Sequence, residues 1–137
     1  MDRIKGLREY IRRDEFLEQL NIPKDEKIDL KLLAQGEYNI NYLFTHPTTK
    51  EKLILRVNTA SQMNLSNQIE YEYNSLLQLR KSNRTPRPIY VDGSKKYLDY
   101  GILVMDFLMG VDLDYRKDLY IAATCLADIH SVTLKED

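Results

Sequence analysis

The sequence predicts an α+β domain: a five-stranded antiparallel sheet with one helix packed across it and a further helix towards each end of the chain. Two observations carry this expectation. The apolar period runs helical, alternating, helical, alternating and helical again along the chain. Within each alternating block the apolar runs are short and separated by turn residues, as in an antiparallel meander. The length of 137 residues is room for one domain with an ordinary core.

The elements follow in order. Ile4, Leu7, Ile11, Leu17 and Leu20 recur near helical spacing, so residues 2–20 read as an amphipathic helix, with Asn21 and Pro23 as stop signals. Ile28, Leu30 and Leu32 then alternate with Asp29, Lys31 and Leu33, which predicts a half-buried strand. Gly36 interrupts it, and Ile40, Tyr42 and Phe44 resume the alternation as a second strand. Residues 46–50 form a turn and 53–57 a third strand, before a polar loop over 58–64. Ile69, Tyr73, Leu76 and Leu77 predict a helix over 65–82, with Ser66 as its N-cap and Pro86 and Pro88 beyond its end. Residues 89–91 and 102–108 read as two more strands, with a turn at 92–96. The last helix covers 117–132, with Leu119, Ala122, Ala123, Leu126 and Ile129 on one stripe.

Composition excludes several classes. Twenty basic residues face twenty-one acidic ones, a net charge of −1 that argues against a nucleic-acid-binding protein. The single cysteine, Cys125, rules out an internal disulfide and suits a reducing, cytoplasmic setting. No apolar run approaches the roughly 20 residues that span a bilayer, and the first ten residues lack a signal-peptide core, so no membrane partner is expected.

Four features bear on chemistry. Residues 36–42 lie between two strands of a hairpin, where Gly36 lets backbone approach a ligand and Asn39 adds a donor; the alternative is a plain hairpin turn. Arg56 interrupts an apolar strand, so its guanidinium either meets an anionic partner or reaches the solvent face. Glu70 and Glu72 stand two apart on a helix, so only one faces the sheet, and Glu72 lies nearer the apolar stripe. Residues 101–110 form an apolar strand running into Gly110 and the acids Asp112 and Asp114, either a core strand or the edge of a cleft. His130 and Cys125 sit on the last helix with no further ligand at metal-binding spacing, and read as packing or surface residues.

Taken in order, these features resemble the nucleotide-binding lobe of a protein-kinase-like fold, and in detail the aminoglycoside phosphotransferase and choline kinase superfamily. Gly36-Glu37-Tyr38-Asn39 followed by Tyr42 is similar to that family's hairpin loop. Leu53-Ile54-Leu55-Arg56-Val57 resembles its third strand, and the run from Glu72 to Leu79 its "glutamate, then leucines" helix. Thr85-Pro86-Arg87-Pro88 resembles the proline-rich entry to its fourth strand. The segment from Val104 to Gly110 resembles its hinge, with Met109 where a proline is usual, and Leu126-Ala127-Asp128-Ile129-His130 the end of its next helix.

The resemblance implies a lobe over 1–110 and the start of a second lobe over 111–137. It implies that Gly36 and Asn39 lie over the phosphates of ATP, that Arg56 binds them and that Glu72 holds Arg56. It implies that Met105 takes the gatekeeper position, that the carbonyl of Asp106 and the N–H of Leu108 bond the adenine edge, and that the acceptor is a small hydroxyl compound, with an aminoglycoside, choline and ethanolamine all open. The family's His-Gly-Asp loop and magnesium-binding aspartate have no counterpart after His130, so the chain reads as a truncated lobe, inactive alone, to which a missing second lobe brings Mg2+ and catalysis. The competing readings are a non-catalytic nucleotide-binding or regulatory module with the same fold, and an interaction domain. The stripe on the 117–132 helix is then expected to be covered by a second copy of the chain, by helix swapping, or by folding back on the 2–20 helix.

Overall fold

The structure, a computed structural model, describes residues 4–60, 67–110, 114 and 116–132. Its central strands carry buried side chains at consecutive rather than alternate positions. In β3 (Lys52–Asn58) Leu53, Ile54 and Leu55 are all buried, and in β5 (Gly101–Asp106) so are Ile102, Leu103, Val104 and Met105. Such strands need cover on both faces of their sheet. The sheet also contains β1 (Lys31–Gln35), β2 (Asn39–Thr45) and β4 (Pro88–Asp92), in the order β1-β2-β3-β5-β4 with every pair antiparallel. The expected five-stranded antiparallel sheet is therefore present, with Leu55 of β3 opposite Val104 of β5.

The leading segment covers one face. Leu7, Tyr10, Phe16, Leu17, Leu20 and Ile22 pack against Tyr42, Phe44, Leu53, Leu55, Tyr90 and Val104 in the larger core. In place of the single helix expected over 2–20, the chain forms α1 (Leu7–Tyr10) and α2 (Asp14–Gln19), with Arg13 in extended backbone between them. Phe16 explains the break. At 3.6 residues per turn a continuous helix sets Phe16 about half a turn away from Leu7, facing water. The break lets both bury completely.

A polar anchor sits inside this core. The Tyr10 hydroxyl donates to Asp92 Oδ2 at 2.6 Å and lies 2.6 Å from the Tyr90 hydroxyl. Tyr10 has one hydrogen and gives it to the carboxylate, so Tyr90 is the donor between the two phenols. Burial, reinforced by Asp92, pushes the Tyr10 phenol far above its ordinary range and keeps it a donor.

The opposite face is covered by α3 (Gln68–Leu79), within the helix expected over 65–82. A 3-10 turn over Arg80–Ser82 and a left-handed Asn83 (φ 58°) end it. Its N-cap position is Asn67, without a side-chain cap bond, while Ser66 lies outside the described residues. Ile69, Tyr73 and Leu76 pack over Ile54, Leu103 and Met105. Gly101 makes this approach possible: a Cβ there would stand 2.6 Å from Ile69 Cγ2.

Other expectations need correction. The first strand begins at Lys31 instead of 28, and all five of its residues are exposed. It is an edge strand with one partner, broken by an irregularity between Leu32 and Ala34. Ile28 and Leu30 precede it and pack on the larger core. The last strand ends at Asp106, short of Leu108. The last helix, α4 (Leu119–His130), has no buried residue, and Leu119 is 69% and Leu126 55% exposed. It does not fold back on the leading segment as a cover for its stripe, because that segment is taken up by the sheet. Arg84 Nε donates to Asp128 Oδ2 at 2.9 Å, tying α4 to the loop after α3. Among the described residues no helix is long and apolar enough to cross a membrane.

Gly101→Ala is expected to destabilise the fold by about 1–3 kcal/mol, the usual cost of overpacking. In the Gly101→Ala/Ile69→Ala double variant part of that loss should return, because the smaller residue vacates the space. Urea unfolding of the four proteins checks this; purely additive losses would show that the two residues do not compete for space.

Candidate functional site

Arg56 lies on the α3 face of the sheet, between Ile54 and Asn58 along β3. Its cross-strand neighbours are Asn41 on β2 and Leu103 on β5. Glu72, one helical turn after Ile69, comes from α3 to meet it. Arg56 Nη1 donates to Glu72 Oε1, and Arg56 Nε donates to Asn41 Oδ1 at 2.9 Å. The two charged side chains are 23% and 26% exposed. The expected Arg56–Glu72 pair is thus closed. Burial pushes the Glu72 carboxyl above its ordinary range, and the Arg56 charge and hydrogen bond pull it back only in part. Glu70, the other helix acid, is exposed and lies against Gly93 in the loop after β4.

At the hairpin, the Gly36 N–H donates to the Asn39 carbonyl at 2.9 Å. Gly36 has no left-handed φ, and a Cβ there would meet nothing closer than the Asn39 carbonyl at 3.8 Å. The fold therefore does not require glycine at this position. The Asn39 side chain is engaged: its Oδ1 accepts from Asn58 Nδ2 at 3.0 Å. Sequence reasoning picked out Asn39 and passed over Asn41, which touches Arg56. The signal was present in the alternation of the second strand, but using it required the register that sets Asn41 opposite Arg56.

At the other end of this face, Met105 is buried opposite Ile54. Leu43 and Phe107 pack beside them, half-buried, so that Leu43, Ile54, Met105 and Phe107 share an apolar patch on the face that carries Arg56. Past Met105 the chain is held to its neighbours. The N–H of Asp106 donates to the Arg87 carbonyl at 3.1 Å, and that of Phe107 to the Lys52 carbonyl at 3.1 Å. The Asp106 carboxylate accepts from the Arg87 backbone N–H at 3.0 Å and from Arg87 Nη2 at 3.2 Å. Leu108 lies beyond the strand, 55% exposed. A cavity of about 500 Å³ opens here, lined by Lys52, Arg87, Asp106, Phe107, Leu108 and Met109 among others.

The histidine the sequence singled out, His130, is exposed on α4. His46, which it did not, is buried in the turn between β2 and β3. Its Nδ1 accepts from the backbone N–H groups of Thr48 (3.1 Å) and Thr49 (3.2 Å), so Nε2 carries the proton and donates to the Leu20 carbonyl at 2.7 Å. It staples the leading segment to the sheet. Among the described residues no group of three or more His, Cys, Asp or Glu side chains stands close enough to hold a metal ion.

The chain matches no family model, no curated protein and no solved structure.

The raised Glu72 carboxyl should titrate above the ordinary glutamate range of about 4.3, and higher still in Arg56→Met, where the charge that pulls it down is gone. A raised acid is penalised in the fold only when ionised, so the destabilisation caused by Arg56→Met should be smallest at low pH and grow as pH rises through the Glu72 transition. Carboxyl-carbon NMR titration and urea unfolding across that range check both, and a pH-independent loss would contradict the assignment.

Proposed function

We propose that the chain is the ATP-binding lobe of a kinase acting on a small hydroxyl compound, in the manner of the aminoglycoside phosphotransferase and choline kinase superfamily. One observation carries the reading: an apolar patch for a base (Leu43, Ile54, Met105 and Phe107) shares a sheet face with a guanidinium held by two partners, Asn41 and Glu72. In this reading the patch takes adenine and Arg56 takes the phosphates. The Gly36 and Asn39 hairpin lies over the phosphates, and Glu72 holds Arg56. Met105 backs the adenine site, whose edge bonds the Asp106 carbonyl and the Leu108 N–H. Phosphoryl transfer also needs a base and Mg2+, which further residues of a second lobe supply together with the acceptor site. The exposed stripe of α4 is a surface for such a lobe or for a second copy of the chain.

Calorimetric titration with ATP tests the reading on the wild type, Gly36→Ala and Arg56→Met. The wild type should bind. Gly36→Ala should keep the wild-type melting temperature, because a Cβ has room, yet bind more weakly, because it stands where the phosphates meet backbone. Arg56→Met should lose about ten- to a hundredfold in affinity, the worth of one or two charged hydrogen bonds. Absence of binding by the wild type would overturn the proposal.

For the α4 surface, light scattering should report a dimer for the wild type and a monomer for Leu126→Glu. Monomers in both cases would remove the second copy as the partner.

A further inference from the structure

We infer that Asn41 is a positioning residue for the anion-binding group of this site: it fixes the direction in which Arg56 presents its remaining donors. The inference rests on Arg56 being the phosphate-binding group and extends that reading to a residue outside the family resemblance. An arginine side chain has five N–H donors and no acceptor. Here one is taken at Nε by Asn41 Oδ1 and one at Nη1 by Glu72 Oε1, leaving Nη2 with no hydrogen bond among the described residues. A guanidinium held through one nitrogen swings about that contact. Held through two nitrogens, from two different elements, it has a fixed plane and a fixed free edge, and the planar fork is useful for an oxyanion only if that edge is aimed.

The choice of an amide at 41 matters as well as its reach. Asn41 accepts the Nε hydrogen without bringing charge, so the only carboxylate on Arg56 among the described residues is Glu72. An aspartate there would keep the acceptor but set a second negative charge against the guanidinium, competing with an incoming phosphate. A lysine at 56 could not keep both holds and still present a donor pair, because its single nitrogen lacks the fork.

The test uses the purified chain, with ATP and inorganic tripolyphosphate as probes. It compares the wild type, Arg56→Met, Asn41→Leu, the milder Asn41→Ala, and Asn41→Asp. Two readouts are needed: affinity by calorimetry, and the NMR signal of the Arg56 Nε–H, which reports its hydrogen bond whatever the stability. Asn41→Leu and Asn41→Ala should bind both probes about three- to tenfold more weakly and show a shifted, faster-exchanging Nε–H. Asn41→Asp should keep the protected Nε–H and still bind more weakly. If Arg56→Met weakens binding while the Asn41 variants bind as the wild type does, the positioning role is wrong and the phosphate reading survives. If Arg56→Met itself binds like the wild type, or the wild type binds neither probe, the phosphate reading fails and the positioning role with it. Asn41→Ala is the arm that decides if Asn41→Leu does not fold.

Discussion

The constraint on which the architecture depends is that β3 and β5 bury apolar side chains on both faces of the sheet, Leu55 and Val104 on one and Ile54, Leu103 and Met105 on the other. A sheet with one wet face needs a single cover; this one needs two, and the chain supplies one from the segment before the first strand and the other from the connection between β3 and β4. The leading segment closes one face around Phe16 and Tyr90, whose rings meet edge to face at 5.1 Å. Helix α3 closes part of the other around Ile69. The first cover is stapled by the Tyr10–Tyr90–Asp92 hydrogen bonds and by His46, so both ends of the leading segment are tied to the sheet.

The second cover sets the candidate site. Because Gly101 has no side chain, α3 sits close enough for Ile69 to touch the backbone of β5, and Glu72, one turn on, reaches Arg56. Burial keeps the carboxyl of the pair pushed up despite the neighbouring guanidinium. What the pair provides is position: a cation in the middle of an apolar strand, held in one place by an acid from above and an amide from the next strand.

The residues around the exit of β5 are ordered by the same strand pairing. The carbonyl of Arg87, just before β4, holds the Asp106 N–H, and that of Lys52, opposite the chain just past β5, holds the Phe107 N–H. The apolar patch and the exit of β5 at Asp106 and Phe107 therefore keep a defined relation to Arg56 through backbone bonds. Edge strand β1, exposed and paired with β2 through the Gly36 hairpin, forms the margin of the same sheet.

The sequence by itself determined the elements and their type, since periodicity and turn residues depend on local chemistry: the strands around Arg56, the helix around Ile69 and the stop before Pro86 are where it placed them. It also marked Arg56 as a charge in an apolar strand, which either reaches solvent or meets a partner, and the structure shows the partner. Only the tertiary structure decided the rest. The 2–20 helix breaks at Arg13 because Phe16 has to reach the same face as Leu7. The first strand starts only at Lys31 because Ile28 and Leu30, ahead of it, pack into the larger core. The roles of Asn41, His46 and Gly101 were not legible locally: each acts through a neighbour at least fifteen residues away, on another element, and register and helix approach bring such neighbours together where periodicity along the chain does not.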